Sequence, residues 1–229
     1  MRIILALFIC IFGLGCQKDA IKPEQRNLAS NKAANMTLDL PSAIITSPVL
    51  QTGYTLHTIK KGTHNSDKST LKSVKTSEMK FYAYFDGSAE YTTVDPMNQY
   101  DINKLWGFSE GFNNQYNSCR IGWSYNDGYY NGVVSQLGTK ALRLSAYSYA
   151  KGVRYAKEIC IIPMNTPVYC RIKLSGSSYL CYVTVNGITY SATVPRGSTT
   201  TTASGYQQYP YFGGDELAPQ NIFIQIKPA

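Results

Sequence analysis

The chain has 229 residues, 44% of them apolar, which is enough for one substantial core, and it shows no internal repeat that would build a second domain. Its formal charge of +8 is uneven: residues 17–75 hold nine Lys/Arg against four Asp/Glu, and residues 76–229 hold twelve against ten. A cationic excess concentrated in a Ser/Thr-rich N-terminal third reads as a solvated segment, so DNA and RNA are set aside as partners.

The long apolar run from Ile3 to Leu14, behind Arg2, is shorter than the ~20 residues needed to span a bilayer. It ends in Gly13-Leu14-Gly15-Cys16, so residues 1–15 read as a signal peptide. Gly15 before Cys16 resembles a bacterial lipobox, in which the cysteine thiol is lipidated and becomes the mature N-terminus. Ordinary cleavage, with Cys16 left as a thiol, is the alternative. The lipobox reading predicts an exported chain anchored to a bacterial membrane through Cys16, at the outer membrane or cell surface. Gln17-Lys18-Asp19 resembles the charged leader of Bacteroidetes-type surface lipoproteins. Residues 16–40 are polar and aperiodic, a flexible tether, and residues 41–229 form the domain, with its clearest pattern from residue 79.

Residues 44–50 and 54–59 are predicted opening strands, and 61–77 a long loop. Strand then follows strand: 81–85, 118–125, 141–149, 153–162, 168–175, 179–185, 188–194 and 222–227. Helical periodicity is absent. Asn126-Asp127-Gly128, Ala150-Lys151-Gly152 and Asn186-Gly187 sit where hairpin turns need positive φ, and 19 Tyr with many Val, Ile and Thr favour sheet. Many short antiparallel strands imply an all-β sandwich or jelly roll.

Strand alternation then sorts the side chains by face. Cys119, Ile121 and Trp123 point inward, leaving Ser118, Arg120 and Gly122 outward; Leu142, Leu144 and Ala146 point inward, leaving Arg143, Ser145, Tyr147 and Tyr149 outward. Tyr169, Arg171 and Lys173 lie opposite Val168, Cys170 and Ile172. Residues 140–173 carry seven Lys/Arg and Glu158 as the sole acid, so at least one sheet surface is basic and aromatic.

Cys119, Cys160, Cys170 and Cys181 remain once Cys10 leaves with the signal and Cys16 takes lipid. Cys170 and Cys181 share faces with Val, Ile and Leu and read as small core residues; no disulfide pairing is dictated by the sequence. His57 and His64, the chain's two histidines, precede the clearest strand pattern, which argues against a Ser-His-Asp triad or a multi-histidine zinc site. No Glu-x-Asp-x-Glu strand exists for glycoside hydrolysis by paired carboxylates. Asp95 and Asp101 are candidate ligands of a structural calcium; no other cofactor is expected. Asp215 and Glu216 follow Gly213-Gly214, where acids accept backbone hydrogen bonds.

Several ordered segments resemble polysaccharide lyase family 14, the alginate and polyglucuronate lyases. Lys104-Leu105-Trp106-Gly107-Phe108 is similar to that family's Lys-Leu-Pro-Gly segment, and Ser118-Cys119-Arg120-Ile121-Gly122-Trp123 to its Ser-Ala-Arg strand. Tyr147-Ser148-Tyr149 is similar to its Tyr-x-Tyr strand, Val183-Thr184-Val185-Asn186-Gly187 to a late hairpin, and Tyr211-Phe212-Gly213-Gly214-Asp215 to its Phe-Phe-Gly-Gly turn. Trp106 stands where the family has Pro, Ser124 where an Arg follows the Trp, and the interval from Arg120 to Tyr147 is longer. The resemblance, over residues 79–227, implies a concanavalin-like jelly roll and β-elimination at 4-linked uronates of an acidic polysaccharide. It implies that Tyr147 and Tyr149 serve as base or acid and Lys104 belongs to the catalytic set. Arg120, with Lys104, would hold the uronate carboxylate, and Ser118 would hydrogen-bond it. The departures leave room for a different class, a non-catalytic carbohydrate-binding or surface-adhesion module.

Overall fold

A computed structural model of the chain describes residues 47–126, 129–130, 133–134 and 141–229. The expected signal peptide, Cys16, the tether and Asp127-Gly128 lie outside these residues. In chain order the strands are β1 (Thr55–Ile59), β2 (Ser73–Thr76), β3 (Glu78–Phe85), β4 (Asn103–Ser109) and β5 (Ser118–Asn126). The two-residue strands β6 (Tyr129–Tyr130) and β7 (Val133–Val134) pair with each other. Then come β8 (Ala141–Ala150), β9 (Val153–Pro163), β10 (Val168–Ser175), β11 (Ser178–Val185), β12 (Ile188–Pro195), β13 (Ala203–Gln208) and β14 (Ile222–Pro228).

Twelve of these strands make two six-stranded sheets, ordered β1-β14-β3-β10-β11-β12 and β2-β13-β4-β5-β8-β9, with every ladder antiparallel. The architecture is an antiparallel jelly-roll β-sandwich. It forms because alternation gives each sheet one apolar face that must be buried. Val168, Cys170, Ile172 and Leu174 of β10 and Tyr179, Cys181, Val183 and Val185 of β11 line the first sheet's inner face. Cys119, Ile121 and Trp123 of β5 and Leu142, Leu144 and Ala146 of β8 line the second. The faces interdigitate: the Phe85 and Trp123 rings lie 5.3 Å apart, and Cys119 Sγ is 3.5 Å from Cys181 Sγ. All four described cysteines are buried free thiols.

The predicted hairpins at Lys151-Gly152 (φ 52° and 81°) and Asn186-Gly187 (φ 50° and 79°) have the positive φ their residues suggest. Three expectations need correction. Residues 47–50 belong to no strand, and the predicted loop over 61–77 contains β2, whose Ser-Val-Lys-Thr sequence offers one apolar residue as a strand signal. β4 and β13 also go beyond the predicted strands. A bulge between Lys104 and Trp106 breaks the alternation of β4, so Leu105 and Trp106 both join the core. β13 reads Ala-Ser-Gly-Tyr-Gln-Gln, without an apolar period.

One end of the sandwich is pinned by a buried ion pair. Arg196 Nε and Nη2 donate to the two Glu110 oxygens at 2.7 and 2.8 Å, and the Tyr179 hydroxyl donates to Glu110 Oε1. The remaining guanidinium donors reach the Gly176 and Thr200 carbonyls and Thr200 Oγ1. Burial, with the bond to Glu110 second, pushes the Tyr179 phenol up, so it stays a neutral donor.

Candidate functional site

The outer face of the second sheet carries a cleft of about 500 Å³. Its floor is built by cross-strand register. Arg120 of β5 sits directly opposite Tyr147 of β8, and Ser118 opposite Tyr149. Lys104 of β4 is opposite Gly122. Lys104, Arg120, Tyr147 and Tyr149 all line the cleft.

The geometry centres on Tyr147, which is 1% exposed. Lys104 Nζ lies 5.0 Å from the centre of its ring and Arg120 Cζ 5.5 Å, so two cations face one aromatic system. The half-buried Tyr149 ring packs edge-on against Tyr147 at 5.8 Å. Glycines make room for this cluster. A Cβ at Gly107 would stand 2.9 Å from Arg120 Cγ and 2.1 Å from the Cys119 carbonyl, and one at Gly213 would stand 2.6 Å from Lys104 Nζ.

Two segments wall the floor. The first, residues 209–214, is zipped to β4: Lys104 N donates to the Tyr211 carbonyl at 2.8 Å and Tyr211 N returns a bond to the Lys104 carbonyl at 2.9 Å. Asn103, buried beside Lys104, accepts from Gly213 N at 2.7 Å and donates to the Tyr91 hydroxyl at 2.9 Å, fixing the Gly213-Gly214 turn. The Tyr211 ring lies 5.8 Å from Lys104 Nζ on one side and stacks on His64 at 5.1 Å and 8° on the other. His64 Nδ1 lies 2.8 Å from the Phe212 carbonyl, so its ring is held by the wall rather than standing apart, as its sequence position suggests.

The second wall is residues 113–116, between β4 and β5. Asn114 Nδ2 donates to Gln208 Oε1 of β13 at 3.1 Å, and Gly152 N in the β8–β9 turn donates to the Tyr116 carbonyl at 2.9 Å. Asn65, Asn113, Asn114, Gln115, Gln207 and Gln208 give the cleft a rim of carboxamides, and among the described residues no Asp or Glu lines it. The site can hold an anion against two cations, flank it with hydroxyl-matching donors and acceptors, and offer two phenols for proton transfer.

Ser118 stands apart from the others. It is 0% exposed, does not line the cleft, and donates its hydroxyl to the Asn114 carbonyl, so it braces the loop that forms the wall. Ser124 accepts from Arg143 Nε at 3.3 Å, away from the cleft. Tyr169 and Arg171 lie on the outer face of the other sheet, where Arg171 covers Tyr182 at 4.2 Å and Tyr169 packs on Tyr82 at 5.1 Å. Asp95 caps a 3-10 turn by accepting from Met97 N, and Asp101 Oδ2 fills the space a Cβ at Gly214 would need. Among the described residues no three His, Cys, Asp or Glu side chains gather as a metal site. Glu216 accepts from Asp95 N, Val94 N and Asn98 Nδ2 as its turn position suggests; burial pushes its carboxyl up, and these bonds outweigh that and hold it below the usual range.

No protein-family model matches the sequence, and no curated protein matches it. Solved structures with a similar chain path include a functionally unknown protein from Saccharomyces cerevisiae, with 10% identity and a TM-score of 0.43 over 79% of this chain and 88% of that one. A GH43 protein from Bacillus licheniformis aligns at 10% identity and 0.39, over 73% of this chain and 28% of its own. A polysaccharide lyase of family 18 aligns at 8% identity and 0.36, over 80% of this chain and 89% of its own. At such scores these likenesses assign no activity.

Proposed function

We propose that the chain engages an acidic polysaccharide in this cleft and cleaves its 4-linked uronates by β-elimination. The observation that carries the reading is the placement of Lys104 and Arg120 over one phenol ring, with a second phenol beside it, in a cleft that no Asp or Glu lines among the described residues. A uronate entering it would set its carboxylate against Arg120 and Lys104, which neutralises the group so that negative charge can develop onto it from C5. One phenolate takes the C5 proton, the C5 electron pair forms the C4–C5 double bond, and the other phenol protonates the departing O4. A phenol is ordinarily a weak base near pKa ~10, and adjacent positive charge favours its phenolate. In the same proposal the chain is exported and tethered through Cys16, which would present the cleft to polymers outside the cell.

The test is incubation of purified protein with alginate, polyglucuronate and other uronans, reading the ultraviolet absorbance of unsaturated ends. Product is expected with at least one uronan, and Arg120→Ala, Lys104→Ala, Tyr147→Phe and Tyr149→Phe each lower the rate by roughly 100-fold or more. No product across the panel rejects the eliminase. Fatty-acid labelling lost in Cys16→Ser tests the tether. The carboxamide rim favours a second reading, a module that binds acidic glycan without turnover. Salt-sensitive binding with no product is its signature.

A further inference from the structure

Beside the cleft, on the same outer face, lies a second groove of about 430 Å³, lined by Ser73 and Lys75 of β2, Ser204, Gly205 and Tyr206 of β13, and Gly111-Phe112 of the β4–β5 loop. The Phe112 ring is 82% exposed and packs against Tyr206 with centroids 4.6 Å apart and planes at 46°. Register puts Tyr206 two residues before Gln208 along β13, so the two side chains share one face about 7 Å apart. Gln208 pairs with Gly107, which pairs with Arg120 on the cleft floor, so groove and cleft are neighbouring rows of one sheet surface.

The two share their walls as well. Phe112 belongs to the groove and Asn113 to the cleft, and that loop is tied down by Gly111 N donating to the Ser204 carbonyl at 2.8 Å and by the Asn114–Gln208 bond. A Cβ at Gly205 would come within 2.1 Å of the Ser109 carbonyl and 2.7 Å of Gly111 N, so glycine at this position lets β13 pass close to the start of that loop. Lys75 pairs with Ser204 and shares the Tyr206 face, giving the groove a cation, and among the described residues no acid lines it.

We infer that Phe112, Tyr206 and Lys75 form a distal subsite for the polymer that fills the cleft, gripping a further acidic sugar of the same chain. The inference rests on the reading of the cleft as an acidic-glycan site. An aromatic face offers apolar area and a negative quadrupole to the C–H face of a pyranose, and Lys75 matches its carboxylate. The hydrogen-bonded loop joins the two sites side by side, so a long chain that occupies both binds more tightly than a short one that occupies the cleft alone.

The test uses full-length protein carrying Tyr149→Phe, so that polymer is not consumed, with alginate and polyglucuronate each supplied as long polymer and as trisaccharide. Calorimetric titration is expected to show Phe112→Ala weakening polymer binding about 5- to 10-fold, the scale of one aromatic contact, while trisaccharide affinity is unchanged. Arg120→Ala is expected to weaken both. Polymer affinity unmoved by Phe112→Ala, with Arg120→Ala still damaging, overturns the subsite alone. Equal loss for polymer and trisaccharide in Phe112→Ala also overturns it, because Phe112 would then act through the cleft. Absence of binding to every probe before Phe112 or Arg120 is changed overturns the cleft reading and the subsite with it.

Discussion

At the residue scale, Arg196 shows how a charge can be indispensable without touching the cleft. Its side chain is 0% exposed and its partner Glu110 is 9% exposed, so removing one leaves the other charge in a space shaped for a pair. Arg196→Ala is expected to cost about 3–5 kcal/mol, read as a fall in denaturant midpoint with unchanged slope. A loss below 1 kcal/mol would mean that Glu110 finds water or is neutralised. The pairing joins residues 86 apart and has no local signal, so the sequence could not announce it. Arg120, Tyr147 and Tyr149 were legible because alternation in two apolar strands assigns each to the outer face. That pattern does not say that Arg120 faces Tyr147, which depends on register, nor that residues 113–116 and 209–211 rise over both. Ser118 shows the limit of alternation: it has the right parity, and its hydroxyl is spent on the Asn114 carbonyl.

At the element scale, strands with two clean faces were legible, β5 and β8 of the cleft floor among them, and β4 and β13, which also line the cleft, were not. β10 and β11 alternate through their lengths, whereas β4 contains Lys104, a bulge and Gly107, each required by the cleft and each an interruption of the pattern. β1 carries a testable consequence of its inward face. His57 is 3% exposed, edge-on to Trp106 at 5.3 Å, and burial, with Lys68 assisting and Asp67 opposing, lowers its pKa from 6.5 to about 4. Between those values the unfolded chain binds a proton that the native chain refuses, so stability falls as pH drops through that window, by up to ~1.4 kcal/mol per pH unit. His57→Leu is expected to remove this component, so its stability curve should be flatter than that of the unaltered chain between pH 6.5 and 4. Parallel curves would mean that His57 takes its proton without unfolding.

At the scale of the whole molecule, the sandwich holds four thiols between its sheets, and they report how it opens. Cys119, Cys170 and Cys181 are 0% exposed on the facing strands β5, β10 and β11, so a reagent reaches them only when the sheets separate. Cys160, 6% exposed, lies on β9, the edge strand of its sheet, beside a register shift at Leu144/Ser145. Burial pushes the Cys119 and Cys170 thiols well up and Cys160 to about 12, which suppresses the reactive thiolate in the native state. Fraying of an edge strand costs less than global unfolding. Alkylation followed by peptide mass spectrometry is therefore expected to label Cys160 first, at a rate nearly independent of low denaturant. Cys119, Cys170 and Cys181 should follow together, their rates rising with denaturant along the global unfolding slope. Labelling of Cys119 or Cys181 at the Cys160 rate would show that the two sheets part locally, and that the floor of the cleft, which β5 and β8 share with the core, opens with them.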